Sequence, residues 1–114
     1  MKRVLFVCNA NLNRSPKAEE IVNKQGGDYK AKSAGLHPLA EIQITKEAID
    51  WADIIVLMNE RNDKQKTRLF DMFLEKDLKQ KDIRILKIPD IYDKNNPELE
   101  KILINNLRQQ GFIK

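Results

Sequence analysis

The chain has 114 residues and a mass of 13.3 kDa, is 41% apolar and 33% charged, and carries a net charge of +4. That length fits one domain with a core of its own, so 1–114 is read as a single domain and a second folded unit is excluded. Cys8 is the only cysteine, which excludes an internal disulfide; one cysteine and one histidine do not make an ordinary zinc site, so no metal and no cofactor is expected.

The first apolar run, Val4 to Val7, is far shorter than a signal-peptide core, and no stretch approaches the roughly 18 apolar residues of a membrane span. The expectation is a cytoplasmic protein with no membrane partner. Basic and acidic residues alternate, as in Glu75-Lys76-Asp77, so no single-sign stripe forms and nucleic acid is not an expected partner. The balance suits a small anion better.

Arg3 to Val7 reads as a buried strand that runs into a polar loop from Asn9 to Asn13. Ser15-Pro16 reads as a helix opening with Ser15 as cap, and Ala18, Ile21 and Val22 supply the helix's apolar face. Gly26-Gly27 ends it, Tyr29 to Ser33 forms a second strand, and Ala34-Gly35 makes a turn. A short helix spans about Thr45 to Ala52, with Ala48, Ile49 and Trp51 turned partly inward. Ile54 to Met58 is apolar throughout, as in a strand covered on both faces. Glu60 to Arg68 is polar on every side, and Leu69, Met72 and Phe73 then recur at helical spacing, predicting a helix that packs through its second half. Ile83 to Ile88 reads as a fourth strand. Asn96-Pro97 opens a last helix along Leu99, Ile102, Leu103 and Leu107, ended by Gly111.

Alternating strands and helices predict a three-layer α/β/α fold around a four-stranded parallel sheet, in the flavodoxin-like order 2-1-3-4. Ligands of such sheets bind beyond the carboxyl ends of the strands, where successive connections leave in opposite directions. The loop after the first strand is therefore the place to look for a phosphate site.

That loop carries Cys8-Asn9-Ala10-Asn11-Leu12-Asn13-Arg14-Ser15, a C-x5-R-S pattern between a strand and a helix. Amides wound into a helix N-terminus form a concavity for a phosphate dianion, and the planar fork of Arg14 can grip two of its oxygens. The same field favours the Cys8 thiolate, placing a nucleophile where phosphorus would be bound. The Ser15 hydroxyl is in reach to hydrogen-bond that thiolate. Asn9, Ala10, Asn11, Leu12 and Asn13 would line the phosphate.

With these residues in view, the chain resembles a compact prokaryotic-type low-molecular-weight protein tyrosine phosphatase. VLFVCNANLNRSPKAEE is similar to that family's amino-terminal signature; Ser33-Ala34-Gly35, Ala52-Asp53 and Pro89-Asp90-Ile91-Tyr92 follow in the family's order. The resemblance implies Cys8 as nucleophile, Arg14 as phosphate clamp, Ser15 as thiolate partner, and Asn11 as the side chain that steadies the loop against Ser33. A departing alkoxide or phenolate also needs a proton donor. Asp90, after the fourth strand and on the same sheet edge as Cys8, matches the family's acid, with Asp93 as the second candidate; Tyr92 would stand at the mouth.

The chain departs from the family pattern at three places. Ile91 follows the acid where proline is usual, Ala10 replaces a common glycine, and Asn13 stands where many members carry a second cysteine. Without that cysteine an oxidised Cys8 has no neighbouring thiol to trap it as a disulfide. The segment from Gly35 to Ala48 is short, and His37 reads as an ordinary surface residue. Arsenate reduction is disfavoured by the single cysteine. A protein-arginine phosphatase, a phosphocarrier and a non-catalytic phosphate-recognition module remain alternatives to a tyrosine phosphatase; Leu12, where the arginine branch tends to carry threonine, leans toward tyrosine. The expected partners are a phosphorylated protein or small aryl phosphate, with phosphate or sulfate in the loop, on a monomer or weak dimer.

Overall fold

A computed structural model describes residues 2–9, 11–25, 27–59, 65–73, 75–89 and 91–114. Four parallel strands, β1 (Lys2–Cys8), β2 (Tyr29–Gly35), β3 (Ile54–Leu57) and β4 (Asp82–Ile85), form one sheet in the order β2-β1-β3-β4. Between and after them lie α1 (Arg14–Gln25), α2 (Lys46–Trp51), α3 (Gln65–Met72), α4 (Glu75–Leu78) and α5 (Pro97–Gln109). The expected fold class and strand order are both present.

The period-two alternation of strand side chains divides the core. Val4, Phe6, Ile54 and Val56 pack with Ala18, Val22, Leu99, Leu103 and Leu107 in one cluster under α1 and α5. Leu5, Val7, Ile55 and Leu57 pack with Ile49, Leu69 and Leu78 in a second cluster under α2, α3 and α4. Both faces of the two central strands are therefore dry, which is why RVLFV and IIVLM carry no polar residue after Arg3.

The ends of several helices follow their local chemistry. Thr45 Oγ1 accepts from the Ala48 N–H at the start of α2, and Asn96 Oδ1 accepts from Glu98 N–H with Pro97 first in α5. Gly111, at φ 83°, follows α5, and Gly27, at φ 56°, follows α1. The outer edge of β2 is shielded. The Asn23 amide pairs with both the N–H and the C=O of Ala31, and residues 42 and 44 bond Gly35. A strand edge left open would invite a second chain.

Some expectations shift. Ser33 is followed by two further strand residues, so Ala34-Gly35 is strand and not turn, because both continue the ladder beside Val7 and Cys8. β4 stops at Ile85 rather than Ile88, since its partner β3 ends at Leu57; Leu86 and Ile88 still bond Leu57 and Met58 as extended chain. Met72 is 43% exposed rather than inward, while Leu69 carries the buried contact of α3. The one-turn helix α4 had no periodic signal to announce it. Of the polar run before Leu69, residues 60–64 lie outside the described residues, as does Gly26. Among the described residues no helix is long and apolar enough to cross a membrane.

Candidate active site

β1 is buried from Val4 onward and delivers Cys8 at its carboxyl end, 3% exposed, at the point where the chain turns outward to β2 on one side and later to β3 on the other. The connection to Arg14, the first residue of α1, has only five residues. Asn11 takes the left-handed conformation, φ 55°, which asparagine tolerates better than other side chains. The flanks of the loop are tied to both neighbours. Leu36 N–H donates to Cys8 O at 3.0 Å, His37 N–H to Asn9 O at 2.9 Å, and Met58 N–H to Val7 O at 3.1 Å.

Ser15 Oγ stands 2.9 Å from Cys8 Sγ and accepts a hydrogen bond from Asn11 Nδ2 at 3.0 Å. Its own proton then has two possible acceptors, the sulfur at 2.9 Å and Ala34 O at 3.5 Å. Either the sulfur or the hydroxyl can donate across the 2.9 Å line. All three side chains are buried, so the network is shielded from water.

Arg14 is 1% exposed, and its Nη1 donates to Ile88 O at 2.8 Å. That carbonyl lies two residues before Asp90, so the guanidinium ties the loop to the segment that follows β4. No acidic residue stands in the first turn of α1, whereas Glu98 and Glu100 occupy that of α5. The partial positive charge at the N-terminus of α1 is thus left uncompensated by the helix's own side chains. A dianion would be attracted there.

The sequence-derived residues fall as follows. Cys8, Asn9, Asn11, Leu12, Asn13, Arg14 and Ser15 share the loop and the first turn of α1. Ser15 is not the helix cap: the Asn13 carbonyl receives Lys17 N–H, so Ser15 lies inside the first turn with its hydroxyl free for the sulfur. The Asn11 amide bonds Ser15 rather than Ser33, which is buried on β2 opposite Phe6. Tyr92 is half-buried against the core cluster that contains Cys8. Asp93 is exposed, and its carbonyl accepts from Asn96. Asp90 and Ala10 lie outside the described residues. His37 is exposed, its Nδ1 accepting from Leu39 N–H.

Two contributors carried no sequence signal. Arg68 on α3 donates to Asn9 Oδ1 at 2.6 Å, and Lys94 N–H donates to Asn13 Oδ1 at 3.0 Å, so both ends of the loop are held by distant segments. Gly35 is needed because a Cβ there would sit 2.7 Å from Asn9 O and 3.0 Å from Asn11 N. Leu12, in the loop, is 51% exposed, and Ile91 is 73% exposed.

A sequence model of the family described as low molecular weight phosphotyrosine protein phosphatase matches residues 3–50. No curated protein matches the chain. Among solved structures, the chain is similar to SP-PTP, a low-molecular-weight protein tyrosine phosphatase from Streptococcus pyogenes, with TM-score 0.72, 20% identity and coverage of 96% of this chain and 93% of that one. It is similar to the YwlE arginine phosphatase from Geobacillus stearothermophilus, with TM-score 0.65, 23% identity and the same coverages, 96% and 93%. Vibrio vulnificus Wzb in complex with benzylphosphonate follows at TM-score 0.70 and 18% identity, covering 96% and 95%. The resemblance to the low-molecular-weight phosphotyrosine protein phosphatases thus holds in sequence over residues 3–50 and in fold over nearly the whole chain.

Proposed function

We propose that this protein is a phosphomonoester hydrolase of the tyrosine-phosphatase kind, acting through a phosphocysteine on Cys8 without a metal. The observation that carries the reading is the Cys8 sulfur at 2.9 Å from the Ser15 hydroxyl, at the N-terminus of a helix that begins with a buried arginine. Thiol, hydroxyl and cation meet where an anion is favoured.

In the first step the thiolate attacks phosphorus and an S–P bond forms as the ester P–O bond breaks; Asp90 gives its proton to the departing oxygen. In the second, the Asp90 carboxylate takes a proton from water, whose oxygen attacks phosphorus. The S–P bond breaks, its electron pair returns to the Cys8 sulfur, inorganic phosphate leaves, and the Ser15 hydroxyl donates a hydrogen bond to the thiolate. Loop amides from Asn9 to Asn13 and the Arg14 fork meet the charge on the equatorial oxygens throughout. The Ile88 carbonyl, by accepting from Arg14, ties the guanidinium to the chain that follows β4.

Phosphotyrosine is the favoured substrate, because the loop that would hold the phosphate exposes an apolar side chain, Leu12, to an aromatic ring. A second reading, phosphoarginine, draws on the fold shared with the YwlE arginine phosphatase. The deciding experiment is hydrolysis of para-nitrophenyl phosphate in excess chelator by the unaltered protein and by Cys8→Ser, followed by phosphotyrosine and phosphoarginine peptides side by side. Turnover that survives chelation, is lost in Cys8→Ser, and prefers the phosphotyrosine peptide is expected. Full activity in Cys8→Ser would overturn the assignment.

A further inference from the structure

We infer that Arg68 is a positioning residue for the phosphate loop, acting through Asn9. The inference rests on the phosphatase reading above and assigns that site a contributor from the opposite layer of the fold. Arg68 Nη1 donates to Asn9 Oδ1 at 2.6 Å across 59 residues of sequence, in a half-buried setting. Asn9 is the first residue after the nucleophile, so its orientation decides where the loop begins.

Both ends of this bond are anchored. Arg68 is adjacent to Leu69, which is fully buried in the core cluster that also contains Val7 and Leu57. The main chain of Asn9 is held from the other side, its carbonyl accepting from His37 N–H and standing 2.7 Å from where a Gly35 Cβ would be. Asn9 is therefore gripped by β2's neighbourhood through its backbone and by α3 through its side chain. At the far end of the loop Asn13 has the parallel arrangement, its side chain taken by Lys94 N–H and its carbonyl by Lys17 N–H. The two asparagines act as clasps, one closed by backbone and one by a cation.

A charged donor in a half-buried bond resists rotation better than a neutral one. Losing it should free Asn9 and loosen the concavity before phosphate binds. Preorganisation lost in this way is read as weaker anion binding.

The test measures binding of inorganic phosphate by calorimetry in the unaltered protein, Arg68→Met, Asn9→Ala and the double variant, with melting temperatures alongside. Arg68→Met keeps an aliphatic stem on α3. Each single change is expected to weaken phosphate binding about tenfold, the size of one charge-assisted bond, and the double variant about tenfold as well, because both remove the same bond. Losses that multiply in the double variant would show Arg68 acting on the anion directly and overturn the inference. Unchanged phosphate binding in either single variant would also overturn it, leaving the phosphatase reading intact. No phosphate binding by the unaltered protein would sink both. Should Arg68→Met fail to fold, Asn9→Ala alone decides: weakened binding supports the role and unchanged binding refutes it.

Discussion

Replacing Gly35 with alanine tests whether the phosphate loop leans on β2. The added Cβ would lie 2.5 Å from Ala40 Cβ, 2.7 Å from Asn9 O and 3.0 Å from Asn11 N. Contacts of this kind relax to about 3.5 Å, so the two loop atoms must retreat by roughly half an ångström or more. Neither is a side-chain end that can swing aside. Overfilling of this sort costs about 1–3 kcal/mol, which at this size lowers the melting temperature by roughly 4–12 °C. The functional loss is separate. A displacement near half an ångström at the residues flanking the nucleophile should lower kcat/KM for an aryl phosphate about tenfold, since about 1 Å can cost a hundredfold. Gly27→Ala is the control: its φ of 56° strains any side chain, but nothing lies within 4 Å and the residue precedes β2 at the opposite end of the sheet. It should melt lower and hydrolyse normally. If Gly35→Ala melts lower yet keeps full kcat/KM and phosphate affinity, the loop does not depend on this contact and the reasoning fails.

Ser15→Ala removes the hydroxyl at 2.9 Å from the sulfur and strands the Asn11 amide, so kcat should fall roughly 10- to 100-fold, about 1.5–3 kcal/mol for one bond to a charged group, with phosphate binding far less affected; an unchanged kcat refutes the role. Asp90→Ala should steepen the dependence of rate on leaving-group basicity across substituted phenyl phosphates, and a flat profile like that of the unaltered protein would move the acid to Asp93. Asp53 is surface-exposed, and the Arg3 backbone N–H that donates to it at 2.9 Å, aided by the Arg3 and Lys2 charges, holds its carboxyl below the ordinary range. A lowered folded value gives stability that is present above the ordinary Asp range and lost as pH falls through it. Asp53→Asn should therefore melt slightly lower than the unaltered protein near neutrality, the gap closing only as pH falls below the ordinary Asp range and through the lowered folded value, as thermal scans across pH will show.

Where the sequence was legible, the signal was local. Thr45, Asn96-Pro97 and Gly111 mark helix ends because capping involves groups within three residues of one another, and the dry strands show because burial on both faces leaves no polar alternation. The Cys8–Arg14–Ser15 spacing belongs to the same class: strand end, short loop and first helical turn are contiguous, so the chemistry is written in one run of residues. What escaped was pairing across the fold. Arg68 with Asn9, Arg14 with the Ile88 carbonyl and Lys94 with Asn13 join segments 59, 74 and 81 residues apart, and a residue that serves a distant backbone atom leaves no periodicity.

Gly35 shows how a correct residue can be given the wrong reason. In the sequence it suggests a turn because glycine commonly supplies one, yet it continues β2, and what it supplies is the absence of a Cβ against Asn9 and Asn11. Ser15 is the converse: the same hydroxyl that would cap a helix from outside instead sits one residue into α1, where it meets the sulfur. In both cases the site claims a group that local structure would have used otherwise. The loop must bend through a left-handed Asn11 and enclose a charged Arg14, both of which cost free energy on their own. That cost is tolerable only because four separate segments, those around His37, Arg68, Ile88 and Lys94, bond the loop or its arginine from different sides. A short sheet of four strands brings all of them to one edge, which is why so small a chain can hold the arrangement.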